Sequence, residues 1–316
     1  MNILIDGSGA IGIGLGCSMI NSGYDVSFYA SEKTADAMKK EGIKRIGIFK
    51  HLSYNPEEFK VYTKYEEIPD NHFDYVFIAS KTMANDDISK KLYENKRILK
   101  KDYKLIIFQN GFGNDEPYLK YFPKENVFCA RVITGFSRPE RNISEITVHT
   151  EPILLGSLQK IDPENLTNIA EAITKSGIPC EISEKLSEYL WGKMLYNCAL
   201  NPLGAILKVN YGKLTENQYT KDIMNRTIDE IFNVMKAAGY KTLWKTAEEY
   251  KQLFYSKLVP DTYNHYSSTY QDITKKNKTE IDTLNGKVIA IGDKYDVNVD
   301  VNRTLYNMIK SIENNY

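Results

Sequence analysis

The sequence predicts an α/β first half followed by an all-α second half. Three observations carry this reading. Short β-rich apolar runs alternate with helix-compatible stretches through the first 150 residues. From about Asn165 onward long segments of helical spacing replace them. The 316 residues, 42% of them hydrophobic and 26% charged, suffice for two ordinary domains with real cores.

Taken in order, Asn2 to Asp6 reads as a buried strand, Ala10 to Ser22 as a helix, Asp25 to Tyr29 as a second strand and Glu32 to Glu41 as a second helix. Tyr75 to Ala79 and Leu105 to Phe108 repeat the strand signal, with helix-compatible Asp86 to Leu99 between them. That rhythm predicts a mostly parallel sheet covered by helices. Val127 to Thr134, Glu145 to His149 and Ile153 to Leu155 are further strand-like pieces, so the sheet is expected to end in a more antiparallel portion. Leu186 to Leu200, Thr215 to Ala238 and Val301 to Ile312 have helical spacing. Strand signals stop near Ser183 to Ser187, which places the expected domains at residues 1–184 and 185–316.

Composition excludes several function classes. The 41 basic and 41 acidic side chains cancel, so no overall field favours nucleic acid or an anionic membrane. The basic run Lys275-Lys276-Asn277-Lys278 reads as a solvated turn. Leu190 to Leu207, the longest apolar stretch, is interrupted by Lys193, Asn197, Asn201 and Pro202, and no membrane span is expected. Cys17, Cys129, Cys180 and Cys198 are widely spaced and read as reduced; with no signal-peptide pattern at the N-terminus, the expected location is cytoplasmic. The four histidines lack metal-ligand spacing, so no metal is expected. No GxSxG or Cys/His pairing argues for a hydrolase.

Gly7-Ser8-Gly9-Ala10-Ile11-Gly12 matches GxGxxG and lies after the Ile3-Leu4-Ile5 strand and before a helix. The first two glycines permit a tight turn and close backbone approach to a pyrophosphate, the third permits close helix–strand packing, and the helix N-terminus supplies N–H donors. Alone the motif is weak; its position and the rhythm after it point to dinucleotide binding and a Rossmann-type domain. The bland alternative is a Gly-rich turn in an α/β protein without a cofactor. About 20 residues on, Glu32 lies near the spacing of the acid in an NAD site. Its neighbours Ser31 and Lys33 could donate to and neutralise a 2′-phosphate, and the reading favours NADPH with NADH left open.

The most informative segment runs from Leu190 to Leu203. Lys193, Asn197 and Asn201 recur at i, i+4 and i+8 in almost wholly apolar surroundings, along one helical face. An unpaired ammonium in an apolar core is too costly, so the stripe faces a cleft or buried partners, unless it is simply an exposed stripe on a surface helix. A lysine that bonds a carbonyl and delivers a proton, with two amides orienting the ligand, is coherent chemistry. Downstream, a helix is expected to start with Thr279 as N-cap, placing Glu280 at its N-terminus, where the bland role is capping.

GSGAIG near the start, Lys81 in IASKTM, QNG at Gln109 to Gly111, WGKMLYNCALNPLGA from Trp191, and SSTYQDI followed by TEIDTLNG occur in this order over nearly the whole chain. With these motifs the sequence resembles the ketopantoate reductase family (2-dehydropantoate 2-reductases). The resemblance implies a Rossmann N-terminal domain, a helical C-terminal domain, and NADPH-dependent reduction of 2-dehydropantoate, a small anionic 2-oxo acid, to pantoate. It further implies Lys193 as general acid, Asn197, Asn201 and Ser268 holding substrate, Glu280 bonding substrate and orienting Lys193, and Lys81 and Asn110 near cofactor and substrate. As carried over, the cofactor set is Gly7, Ser8, Gly9, Ala10, Ile11, Gly12, Ser31, Lys33, Lys81, Asn110 and Glu280. Self-association as a homodimer is left open.

Three places depart from the family's pattern. Ser31 stands where the family usually has an arginine for the cofactor phosphate, Asp296 to Asp300 replaces a Gly-Ile-Pro-Thr-Pro-like stretch, and His149-Thr150-Glu151 replaces His-Thr-Gly. A reductase of another small 2-oxo acid, and a dinucleotide-binding sensor without activity, are the alternative readings.

Overall fold

A computed structural model describes residues 1–316. The chain forms two compact units, one made of Met1–Gln109 with Asn114–Leu186 and the other of Asn110–Gly113 with Ser187–Tyr316. The first unit is mixed α/β and the second is all helical, as the pattern predicts.

In the first unit β1 (Asn2–Asp6), α1 (Ala10–Asn21), β2 (Asp25–Tyr29) and α2 (Glu32–Glu41) follow the expected order. Then come β3 (Ile43–Gly47), β4 (Leu52–Tyr54), β5 (Lys60–Tyr62), β6 (Phe73–Ile78), α3 (Asn85–Glu94), β7 (Leu99–Ile107) and α4 (Glu116–Leu119). The unit closes with β8 (Val127–Arg131), β9 (Thr134–Glu140), β10 (Ile143–His149), β11 (Ile153–Gly156), α5 (Thr167–Lys175) and β12 (Cys180–Ile182). The third helix is shorter than expected: Asn95 caps it, and Leu99 already pairs with Phe73 in the sheet.

The main sheet has the order β12-β11-β8-β7-β6-β1-β2-β5, and β1 pairs parallel with β2 and β6. Ile3, Leu4 and Ile5 are fully buried, as a central strand covered on both faces requires. The strand order reverses at β1, with β2 on one side and β6 on the other, and Gly7 begins the turn into α1 at its carboxyl end, the position where open α/β sheets bind ligands. The antiparallel portion is present, with β11 antiparallel to β8.

The segment Glu145 to His149 does not extend this sheet. It lies in β10, part of a separate four-stranded sheet of order β4-β3-β10-β9. Its partner β3 is hard to see in sequence because Ile43-Lys44-Arg45-Ile46-Gly47 is short and carries two adjacent charges. Arg45 is fully buried, and its Nη1 donates to Ser18 Oγ at 2.6 Å while Nη2 donates to the Ser176 carbonyl at 2.7 Å. This ties β3 to α1 and to the end of α5. Helix α1 contacts both sheets, which accounts for the burial of every residue from Gly12 to Met19.

The second unit is built on α6 (Leu186–Leu207), followed by α7 (Tyr211–Thr215), α8 (Gln218–Ala238), α9 (Ala247–Leu253), α10 (Val259–Asp261), α11 (Ser268–Thr274), α12 (Asn285–Lys294) and α13 (Asp300–Glu313). Trp191, Met194, Leu195, Cys198, Ala199 and Leu200 of α6 are buried, so this helix is the unit's core. Pro202 lies inside it and cannot donate to the carbonyl of Cys198, four residues back. Asn285 Nδ2 fills that place, donating to Cys198 O at 3.2 Å and to Asn302 Oδ1 at 3.0 Å. Glu230 accepts from Asn302 Nδ2 and from the first backbone N–H groups of α13, fixing the far end of the same network.

The helix expected to begin at Thr279 does not form there. Thr279 donates through its backbone N–H and its hydroxyl to Glu313, Glu280 precedes a short 3₁₀ turn, Ile281–Thr283, and the α-helix starts at Asn285. The Thr279 hydroxyl donates to Glu313 while its oxygen accepts from Ile281 N at 3.3 Å, so its local bond leads into the 3₁₀ turn and caps no α-helix. No helix is long and apolar enough to cross a membrane.

Candidate active site

In the first unit the glycine turn has the geometry of an anion cradle. Gly7 has φ +103°, and a Cβ there would lie 2.2 Å from the Ser80 backbone nitrogen. A Cβ on Gly12 would lie 2.1 Å from the Gly7 carbonyl oxygen, so α1 starts as close to β1 as backbone allows. A Cβ on Gly9 would meet nothing nearer than the Ala79 carbonyl oxygen at 4.0 Å. The space over Gly9 is therefore open, beside the first N–H groups of α1, and no acidic side chain lies in that first turn. These residues fit a dinucleotide pyrophosphate. Ser8 is buried and faces the protein, donating to the Tyr29 carbonyl at 3.1 Å; Ala10 and Ile11 are half-buried in the first helical turn.

The loop after β6 closes against this turn, and Lys81 follows Ser80 on it, exposed. Gln109 braces that loop: its Nε2 donates to Ser80 O at 2.9 Å and to Asn85 Oδ1 at 2.7 Å, while Asn85 Nδ2 donates back to Gln109 Oε1 at 2.9 Å. Ser31 and Lys33 are exposed at the start of α2. Ser31 is its N-cap, yet its hydroxyl donates to Thr34 Oγ1 at 3.3 Å instead of capping a backbone N–H.

Sequence reasoning passed over Asp6, an acid at the end of an otherwise apolar strand and immediately before the turn. It is buried and accepts a hydrogen bond from Tyr65, whose ring stacks on Tyr29 at 4.3 Å. Burial pushes its carboxyl up to about 6 from an ordinary 3.8, with the Tyr65 hydroxyl opposing. The folded state therefore holds the proton more tightly than the unfolded chain. The resulting stabilisation is complete below the unfolded value and is lost as pH rises through about 6. Asp6→Asn, which mimics the neutral form, is expected to exceed the parent in stability by about 3 kcal/mol above the folded value, the advantage vanishing below the unfolded one. Denaturant unfolding on either side of that window checks this; an advantage independent of pH would refute it.

In the second unit the Asn110–Gly113 segment docks between α6 and the turn before α12. Gly111 has φ +100°, with a Cβ position only 2.5 Å from Thr283 O, and Phe112 N donates to the same carbonyl at 3.1 Å. The Phe112 ring packs on Trp191 and Tyr240, with centroids 4.8 and 5.2 Å away. These contacts present Asn110 to two charged groups. Lys193 Nζ donates to Asn110 Oδ1 at 2.6 Å, and Asn110 Nδ2 donates to Glu280 Oε2 at 3.1 Å. A cation and a carboxylate are thus joined through one amide.

Further along α6, Asn197 is half-buried and Asn201 only 3% exposed. Tyr211, which sequence reasoning did not single out, donates its hydroxyl to Asn201 Oδ1 at 2.6 Å. Burial pushes the Tyr211 phenol well up, so it remains a donor, and the Asn201 amide is left with its NH₂ end to offer. Ser268 is exposed at the start of α11, whereas its neighbour Ser267 is buried, caps α11 by accepting from Tyr270 N, and donates to Asn201 O at 3.1 Å. The structure thus brings Lys193, Asn110 and Glu280 into one hydrogen-bonded chain, with Asn197 and Asn201 on the same helix. Tyr211 and Ser267 leave no periodic signal because their partners lie in other elements.

A parallel-sheet unit with a glycine turn at the end of its first strand, followed by a helical unit carrying a lysine–amide–carboxylate chain, defines a dinucleotide-binding oxidoreductase class of fold. Comparison with known proteins narrows it. The family model "Ketopantoate reductase PanE/ApbA" matches residues 3–160, and "Ketopantoate reductase PanE/ApbA C terminal" matches 185–313. A 2-dehydropantoate 2-reductase of Aquifex aeolicus is 38% identical over 314 residues, covering 99% of this chain and 97% of that protein. One from Archaeoglobus fulgidus is 27% identical, covering 98% and 97%. Among solved structures, 2-dehydropantoate 2-reductase from Geobacter metallireducens GS-15 superposes with a TM-score of 0.87 at 20% identity over 98% of this chain and 99% of that one. A D-mandelate dehydrogenase with NADH and anilino(oxo)acetate gives 0.86 at 22%, over 100% and 99%. The chain belongs to the ketopantoate reductase family.

Proposed function

We propose that this chain reduces 2-dehydropantoate to pantoate with NADPH, a step toward pantothenate and coenzyme A. The observation that carries the reading is the Lys193–Asn110–Glu280 chain in a member of this family. The bound dinucleotide supplies the hydride. Lys193 donates a proton to the ketone oxygen as negative charge develops there, and its charge stabilises that oxygen more in the transition state than in the ground state. Asn110 aims the ammonium by accepting one of its three N–H groups, and Glu280 fixes Asn110 by accepting from the other end of the amide.

Asn197, Asn201 and Ser268 hold the small anionic 2-oxo acid, Asn201 through the NH₂ end that Tyr211 leaves available. The Gly7 to Gly12 turn holds the pyrophosphate, and Ser31, Lys33 and Lys81 serve the cofactor's remaining anionic groups. A cytoplasmic location completes the reading.

A second reading, reduction of another small 2-oxo acid with NADPH or NADH, is favoured by the shared fold of the D-mandelate dehydrogenase. A spectrophotometric assay with ketopantoate and a panel of 2-oxo acids, run in parallel with NADPH and NADH, separates the two. Ketopantoate with NADPH is expected to give the highest kcat/KM. No oxidation of either cofactor by folded protein would overturn both readings.

A further inference from the structure

Ser31, just past the end of β2, offers a cofactor's 2′ position only a hydroxyl. The fold brings an arginine to that place. Arg138 extends from β9 of the second sheet to the first turn of α2, and its Nη2 donates to Thr34 Oγ1 at 3.1 Å and to the Arg141 carbonyl at 2.6 Å. Ser31 Oγ donates to the same Thr34 oxygen, so the hydroxyl, the guanidinium and the helix start form one cluster. Helix α2 directly follows β2, the strand whose end carries the 2′ determinant in this class of fold.

The charge balance there is unusual. Neither Arg138 nor Arg141 pairs with a carboxylate, and partial burial together with the neighbouring Arg141 pushes the Arg138 guanidinium down from its ordinary value. Adjacent like charges without a counterion repel, and an anion placed between them relieves that cost. Lys33 adds a third cation in the same helical turn, outweighing the exposed Glu32. A guanidinium fork also matches phosphate geometry better than an ammonium does.

We propose that Arg138, assisted by Arg141, Ser31 and Lys33, binds the 2′-phosphate of NADPH, so that cofactor choice is set from the second sheet and not from the residue after β2. This rests on the NADPH reading above and assigns it to particular atoms.

Calorimetric titration with 2′,5′-ADP and 5′-AMP, and with NADPH and NADH, tests the assignment without any 2-oxo acid present. The parent is expected to prefer the 2′-phosphorylated member of each pair. Arg138→Ala should weaken 2′,5′-ADP and NADPH about 10- to 100-fold, the loss of a charge-assisted phosphate contact, while 5′-AMP and NADH shift less than about 3-fold. Arg138→Lys should fall between the two, and Arg141→Ala, which leaves the Thr34 contact in place, should lose less than Arg138→Ala.

A parent that favours the unphosphorylated ligands would overturn the proposal, as would an Arg138→Ala variant that loses both ligands of a pair equally or neither. If Arg138→Ala unfolds on thermal melting, the lysine and Arg141 variants carry the same comparison. Ketopantoate turnover with NADH alone would leave the reductase reading standing while this assignment fell.

Discussion

Lys193→Ala is expected to lower turnover by about 10²- to 10⁴-fold, the usual worth of a positioned general acid. Dinucleotide affinity should change little, because the contacts expected to hold the pyrophosphate lie in the glycine turn. Lys193 is fixed by the 2.6 Å bond to Asn110, so its removal deletes both the proton donor and the charge that meets the developing oxyanion. Single-turnover measurements at saturating cofactor and substrate, with a parallel titration of NADPH, separate chemistry from binding. An unchanged rate would remove Lys193 from the mechanism; a matching loss of cofactor affinity would point to a general disturbance of the fold.

Two alanine substitutions in the glycine turn are expected to part company. Gly9→Ala should melt near the parent, since φ −85° suits alanine and a Cβ there meets nothing closer than the Ala79 carbonyl oxygen at 4.0 Å. It should nevertheless lose dinucleotide affinity by at least about 10-fold, because the methyl occupies the space a pyrophosphate needs. Gly7→Ala should instead destabilise the protein by about 2 kcal/mol or more, the new Cβ striking the Ser80 backbone in a conformation that alanine avoids. Thermal melting and NADPH titration of the two variants check this. Equal binding by Gly9→Ala and the parent would exclude the turn as the pyrophosphate site.

Local signals account for what the sequence made legible. The β1-turn-α1 unit could be read because an apolar strand, three spaced glycines and a helical pattern follow one another within 20 residues. Helix α6 could be read because a charge and two amides stood out against an apolar run. The second sheet was not legible: it assembles from strands about 100 residues apart, and β3 hides its buried arginine in a charged segment. Thr279 shows another failure, since its local bond to Ile281 N leads only into a 3₁₀ turn and its other partner, Glu313, lies 34 residues away. Tyr211, Ser267, Asp6 and Arg138 act through partners that only the folded chain brings near. The resemblance to a family named the residues of the Lys193–Asn110–Glu280 chain, but periodicity could not have put Asn110 between the two charges.

Asn110–Gly113 belongs to the helical unit although more than 70 residues separate it from the next part of that unit. The helical half is therefore not a self-contained cassette. A fragment beginning at Ser187 would carry Lys193 and Glu280 without the amide that joins them, and the Trp191 and Tyr240 rings would lose the phenylalanine they pack against. During synthesis the amide emerges long before its two partners, and Glu280 reaches it across 170 residues of chain. The hydrogen-bonded chain of Lys193, Asn110 and Glu280 can be completed only when nearly all of the protein has been made.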